Sequence, residues 1–191
     1  MDEAENILKY DDIRGEIKDG DIFLYIGKGF FKSGFVATLV QIVTRSAYSH
    51  AGIAAWWGGR LIVMEAVGNG VIVNPLSLSL ERYHARVEWY SCKNEISEHT
   101  RQEMIDYAKG ELGKPFAVLL AFWFMIKILF IGTFSKEDRF KREKRYYCSE
   151  FVSNVYDSVH LDLKKGRSSR YMSPDDIANS ELLVLKGVVQ R

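Results

Sequence analysis

Cys148 heads the run Cys148-Ser149-Glu150-Phe151-Val152-Ser153-Asn154-Val155-Tyr156, in which Cys148, Phe151, Val152, Val155, Tyr156 and Val159 recur at the spacing of one helical face. The spacing predicts a helix whose first inward residue is a thiol. A thiol in a helix's first turn sits among backbone N–H groups that lack intrahelical partners and at the positive end of the helix dipole, which favours thiolate near neutral pH. That is a nucleophile's position. A free cysteine also packs well as a small apolar residue, so the helix alone supports both readings.

A second reactive group lies far upstream. Ser49-His50-Ala51-Gly52-Ile53-Ala54-Ala55-Trp56-Trp57 and Arg60-Leu61-Ile62-Val63-Met64-Glu65-Ala66-Val67 flank Gly58-Gly59, the signature of a β-hairpin with a two-residue turn. With that turn, Trp57 pairs with Arg60, Gly52 with Glu65 and His50 with Val67. Side chains alternate along a strand, so His50, Gly52, Glu65 and Val67 share one face. Glu65 then lies diagonally from His50, about 7–8 Å away along the ladder, and the position directly opposite it carries no side chain.

A lone histidine in a strand is commonly a packed or edge residue. The strand from Leu61 to Val67, however, is apolar on both sides except at Glu65. A carboxylate buried there needs a partner, and His50 is the nearest. A cysteine at a helix start, a histidine on a strand and a third group orienting that histidine are what nucleophilic thiol catalysis requires: a base for the proton and an orienter for the tautomer.

Gly20-Asp21-Ile22-Phe23, Ser49-His50-Ala51-Gly52-Ile53, Glu65 and Tyr147-Cys148-Ser149-Glu150-Phe151-Val152, in that order, resemble the circularly permuted branch of the NlpC/P60 papain-like superfamily, and within it the YiiX/YebB-like group of predicted amidases. Met172-Ser173-Pro174-Asp175-Asp176-Ile177-Ala178 is similar to the group's closing segment. The resemblance implies an α+β fold of the circularly permuted papain-like kind, an antiparallel sheet packed against helices that include the nucleophile helix. It also implies the order seen here, His50 before Cys148. One stretch departs: where relatives carry Gly-x-x-Tyr-Asp, this chain has Gly113-Lys114-Pro115-Phe116-Ala117, so neither hydroxyl nor carboxylate is present and the substrate does not carry over.

The 191 residues, 47% hydrophobic and 27% charged, suit a single domain over 1–191. A net charge of +1 argues against a nucleic-acid binder, which needs an excess of Lys and Arg to neutralise phosphates. The acidic Met1-Asp2-Glu3-Ala4-Glu5-Asn6 has neither the basic nor the apolar stretch of a secretory signal, and a cytoplasmic location is expected. Two distant cysteines build no disulfide framework and no zinc site; Cys92 reads as a reduced strand-end residue. No metal and no cofactor are expected.

The expected order of elements is a short helix over 2–9, a buried strand from Asp21 to Ile26 and an amphipathic helix traced by Phe31, Phe35, Val36, Leu39, Val40 and Val43. The His50 hairpin follows, with further strands around Val71-Ile72-Val73 and from Ala85 to Ser91. Thr100-Arg101-Gln102-Glu103 reads as a capping box opening a helix that stops near Gly113. After the Cys148 helix, Ser173-Pro174 opens a short helix and Leu182 to Val189 forms a last strand. His84, His99 and His160 sit in polar surroundings and carry no catalytic pattern.

An apolar helical insertion is expected at about 116–132. Phe116 to Ile131 contains one lysine and no other charge in sixteen residues, too short for the roughly 20 residues that span a bilayer. The ten residues that follow from Lys136 to Arg145 hold six basic and three acidic side chains. A core helix, an interfacial helix drawn to anionic lipid and an apolar wall of a site all fit; an exposed apolar surface is favoured, for membrane peripheral binding, an acylated substrate or self-association. Tyr147, Phe116 and Trp123 are the candidates for substrate contact, with packing the competing role of Tyr147.

These readings converge on a cysteine-dependent hydrolase or acyltransferase using Cys148, His50 and Glu65 on an amide, peptide or N-acyl, or on a related acyl bond. Its partner would be a peptide-like or acylated small substrate. The alternative from another class is a non-catalytic membrane- or partner-binding protein that retains the fold; the complete Cys-His-Glu set opposes it.

Overall fold

The computed structural model describes residues 6–27, 47–67, 70–82, 86–114 and 148–191. The hairpin forms as its turn predicts. Strands β3 (Tyr48–Trp57) and β4 (Arg60–Val67) are antiparallel, with Trp57 opposite Arg60 and Gly52 opposite Glu65. Gly58 and Gly59 have φ of 57° and 75°, the conformation a two-residue type I′ turn demands and one that side chains resist. β5 (Gly70–Pro75) continues the meander, with Val67 opposite Gly70 and Val63 opposite Asn74.

On the other side of β3 runs β2 (Ile22–Ile26), then β6 (Arg86–Cys92), β7 (Leu183–Gln190) and β1 (Ile7–Lys9), giving one seven-stranded sheet in the order β1-β7-β6-β2-β3-β4-β5. The sheet is mixed rather than antiparallel throughout, because β1 runs parallel to β7. This also corrects the expected helix over 2–9. Residues 7–9 form a strand and the helix, α1 (Tyr10–Ile13), begins only after them, while 2–5 lie outside the described residues. The edge of β7 decides the matter: Val188 N–H donates to Asn6 O at 2.8 Å and the Asn6 amide donates to Lys186 O at 2.8 Å, pairing that outweighs weak local helix preference.

Both faces of the sheet are covered. One meets α3 (Glu98–Gly110), α4 (Cys148–Asp157) and α5 (Pro174–Ala178), whose Met104, Ile105, Phe151, Val152, Val155 and Ile177 pack on Ile22, Leu24, Ala51, Ile53, Met64 and Ala66. The other meets α1 and α2 (Leu76–Arg82), whose Ile13, Leu76 and Leu80 pack on Phe23, Tyr25, Ala54, Val63 and Trp89. α2 is an element the sequence pattern did not reveal. α3 opens three residues before the expected capping box: Ser97 is its cap, and the Ser97 hydroxyl accepts from Thr100 N–H at 3.1 Å. The helix traced by Phe31 to Val43 and the insertion at 116–132 lie outside the described residues.

Asp21, buried at the head of β2, ties these layers together. Its carboxylate accepts from the Trp89 indole at 2.8 Å, from the Ser91 hydroxyl at 2.8 Å and from Lys18 N–H at 3.1 Å, with the Arg101 guanidinium 3.7 Å away. Fully paired, the charge can stay buried.

Candidate active site

The helix periodicity around Cys148 holds in the structure. α4 begins at Cys148, and Phe151, Val152, Val155 and Tyr156 are buried against the sheet. The Ser149 hydroxyl donates to Met172 O at 2.6 Å and the Tyr156 hydroxyl to Gly20 O at 2.8 Å, so both ends of the helix are fixed to neighbouring elements. Cys148 is half-buried at the helix start.

Glu65 is completely buried on β4, a strand covered on both sides as the sequence predicts. Its Oε2 lies 2.6 Å from His50 Nε2. Alternation puts both side chains on the face that carries Tyr25, whose ring centroid is 5.4 Å from that of His50. With Nε2 engaged by the carboxylate, Nδ1 is the ring nitrogen left for the thiol, and the Cys148 sulfur is hydrogen-bonded to the imidazole.

The two groups come from opposite faces of the sheet and meet where a ladder ends. The β3–β4 pairing stops at Gly52 and Glu65; the expected His50–Val67 pair does not form. Ala54 N–H donates to Asp21 O at 2.7 Å and so points at β2. By alternation Ala51 N–H points the other way, toward β4, where the ladder has already ended. It donates to the Cys148 sulfur instead, as does Ser149 N–H in the first turn of α4. The start of β3 is held by the Tyr48 hydroxyl, which donates to Glu88 Oε2 at 2.7 Å and lies 3.0 Å from the Tyr90 hydroxyl.

The electrostatics follow from these contacts. Burial pushes the Cys148 thiol up, but the hydrogen bond and charge of His50 and the N–H groups of Ala51 and Ser149 outweigh it and hold the thiol below its ordinary range. Burial pushes the His50 imidazole down, but the hydrogen bonds and charges of Cys148 and Glu65 carry it up to about 10. Both shifts favour the thiolate–imidazolium form of the pair over the neutral one. Cys92 is the opposite case: burial pushes its thiol up, and its Sγ lies 3.7 Å from the Tyr156 hydroxyl at the end of β6.

The structure thus brings Cys148, His50 and Glu65 together. Tyr147, Phe116 and Trp123, the candidates for substrate contact, lie outside the described residues. Sequence reasoning missed Asn74, whose Nδ2 donates to Glu65 Oε1 at 2.7 Å. A signal existed: a two-residue connection at 68–69 sets the observed β4–β5 register, which places Asn74 diagonally from Glu65 on the same face. Tyr25 carried no such signal, since its neighbourhood to His50 depends on pairing between distant segments.

The sequence profile of the permuted papain-like amidase enzymes (YaeF/YiiX, C92 family) matches residues 16–181. The solved structure of the metalloprotein yiiX from Escherichia coli O157:H7 superposes with a TM-score of 0.64 at 21% identity, covering 91% of this chain and 98% of that one. That likeness carries the fold. None of the curated proteins matches the chain. The metal belongs to the description of yiiX; among the described residues here, no group of three or more His, Cys, Asp or Glu side chains is gathered to hold an ion.

Proposed function

Because the chain belongs to the family of permuted papain-like amidase enzymes, we propose that it is a thiol amidase in which Cys148 is the nucleophile, His50 the acid and base, and Glu65 the group that orients the imidazole. The observation that carries this reading is the continuous hydrogen-bonded chain from the Cys148 sulfur through both nitrogens of His50 to a carboxylate with no exposure to solvent.

The thiolate attacks the carbonyl carbon of the amide, forming a C–S bond while the carbonyl π electrons move onto oxygen. In this reading the Cys148 N–H, in the first turn of α4, donates to that oxyanion, a contribution typically of about 2.7–4 kcal/mol per donor. Collapse breaks the C–N bond, and His50, already protonated, gives its Nδ1 proton to the departing amine. The neutral imidazole then takes a proton from water, which attacks the thioester, and the thiolate leaves as the acid product forms. If an amine or alcohol enters in place of water, the same steps transfer the acyl group.

The apolar run from Phe116 to Ile131 favours an N-acyl or otherwise acylated substrate, with Phe116, Trp123 and Tyr147 as its contacts and a membrane surface as its source. A soluble peptide amide is the competing substrate. Incubating the chain with peptide amides, N-acyl amino acids of increasing chain length and thioesters, and comparing it with Cys148→Ala, tests both levels. Cleavage that disappears with Cys148 supports the thiol mechanism, and a rate that climbs with acyl length supports the fatty substrate. Cleavage that survives in Cys148→Ala, or no covalent labelling of Cys148 by a chloromethyl ketone or acyl fluoride, leaves the non-catalytic binding protein as the better description.

A further inference from the structure

Glu65 divides its oxygens between two neighbours: Oε2 is 2.6 Å from His50 Nε2, and Oε1 accepts from Asn74 Nδ2 at 2.7 Å. We propose that Asn74 is a positioning residue of the thiol site, one that fixes the rotation of the Glu65 carboxylate and, through it, the tautomer of His50. The proposal rests on the roles given above to Cys148, His50 and Glu65.

The terminal torsion of a glutamate is broad and roughly two-fold, so packing alone leaves the carboxylate free to turn. An ionised carboxylate only accepts, hence Asn74 must present its NH2 to Oε1 rather than its carbonyl. With Oε1 held, the plane of the carboxylate is fixed and Oε2 faces Nε2 as an acceptor. Nε2 must then carry a hydrogen, and Nδ1 remains the nitrogen that exchanges a proton with the sulfur. Losing the Asn74 donor weakens the support of the imidazolium, which in turn weakens the thiolate.

Asn74 arrives by register. It stands opposite Val63 on β5, two residues beyond the partner of Glu65, with its side chain on the face of His50 and Glu65. The other groups around the pair are Cys148 from α4 and Tyr25 from β2, the latter with its hydroxyl 3.0 Å from Ser79 of α2. Neither reaches Glu65 Oε1 with an amide donor as Asn74 does.

A purely structural Asn74 would matter for stability and leave the titration of Cys148 alone. The test is therefore the pH profile of Cys148 alkylation by iodoacetamide in the full chain, measured for wild type, His50→Ala, Asn74→Ala and Asn74→Leu, with circular dichroism to confirm folding. Leucine keeps the volume that alanine gives up, so the measurement stands if the smaller residue unfolds the protein. The wild-type midpoint should fall well below the ordinary thiol value of about 8.5, and both Asn74 variants should raise it by about one pH unit or more, the size expected for one hydrogen bond to a charged group. Folded Asn74 variants with the wild-type midpoint would overturn the role of Asn74 while leaving the Cys148–His50 pair intact. A wild-type midpoint equal to that of Cys92 would overturn the thiol reading itself.

Discussion

Gly52 stands directly opposite Glu65 in the β3–β4 ladder, and a Cβ built on it would come within 2.6 Å of Val63 Cγ2 and 3.5 Å of Glu65 Cβ. Its φ lies outside the left-handed region, so space rather than backbone freedom keeps a glycine here. Gly52→Ala should lower stability by about 1–3 kcal/mol through overpacking of a buried Val63. Because the strand that gives way carries Glu65, amide cleavage should fall as well. Adding Val63→Ala removes the closest contact and leaves the milder one with Met64 O at 3.3 Å, so the double variant should recover cleavage toward wild type while remaining less stable. Activity that stays low in the double variant would show that Gly52 matters for something other than this contact. Thermal melts beside steady-state rates decide it.

Glu65→Gln is nearly isosteric, yet its effect should be severe. Asn74 donates to the position of Oε1, so the glutamine places its carbonyl there and turns its NH2 toward His50 Nε2. Nε2 is then an acceptor, the hydrogen moves to Nδ1, and the nitrogen facing the sulfur can no longer take a proton. A wrong tautomer of this kind costs about 10⁴-fold in kcat in serine proteases, and a loss of about 10³–10⁴-fold is expected here. The melting temperature should change little, since the glutamine keeps hydrogen bonds to both Asn74 and His50. A loss under tenfold would mean that Glu65 supports the strand and not the imidazole.

The rate should be bell-shaped in pH. The thiolate–imidazolium pair forms as pH rises through the lowered value of Cys148 and is lost as pH rises through about 10, where His50 gives up its proton. Cleavage should therefore be fastest between those two limits. At about pH 6 Cys148 should alkylate more than tenfold faster than Cys92, whose thiol is pushed up and is almost wholly protonated there. His50→Ala should erase that difference. Equal rates at the two thiols would remove the case for a prepared nucleophile.

How far the sequence foretold this site depends on which contacts are local. The Gly58-Gly59 turn fixes a register, the register places Gly52 opposite Glu65, and alternation puts His50 on the same face; each step is short-range and each holds. The Cys148 helix was legible for the same reason, its apolar positions repeating within three turns. The Ala51 N–H that meets the sulfur was not legible, because it depends on where a ladder stops, and backbone groups leave no mark in residue type. β1 is a three-residue strand that exists only because the distant edge of β7 receives it. Gly113 and Lys114 open the stretch whose departure from relatives falls at Phe116-Ala117, outside the described residues, and they cover the outer edge of β5: Gly113 N–H donates to Val71 O at 2.9 Å and Val71 N–H to Lys114 O at 2.9 Å.

The closing segment that resembles relatives makes its own prediction about acid stability. Ser173 and Asp176 form a capping box at the head of α5, and Asp176 is also bonded by Lys164 and Arg167. Burial pushes the Asp176 carboxyl up, but Lys164, Ser173 and Arg167 outweigh it and bring it to about 2. A folded-state value below the unfolded one adds stability that is complete above about pH 4 and is lost as pH falls through about 2. The basic partners are exposed by 46% and 43%, so screening reduces the contribution to about 1–2 kcal/mol. Asp176→Asn should lower stability at neutral pH and flatten its loss between about pH 4 and 2; parallel acid-titration curves for the two proteins would exclude this role.

The proposed acylated substrate rests on the sequence of residues 116–131, which supports a direct test. If they present an apolar surface, the chain should sediment with liposomes containing anionic lipid, helped by the basic run from Lys136 to Arg145. Replacing Phe122, Phe124 and Ile128 with serine should then abolish sedimentation, leave the melting temperature near wild type and reduce cleavage of long-chain N-acyl substrates more than of short ones. If they are core, the same triple change should unfold the protein, because each buried replacement costs several kcal/mol against a total of about 5–15. Co-sedimentation, melting and the chain-length dependence of cleavage read the three consequences separately. Absence of liposome binding in the wild type, together with a collapsed melting temperature in the variant, would turn the proposed substrate back to a soluble peptide amide.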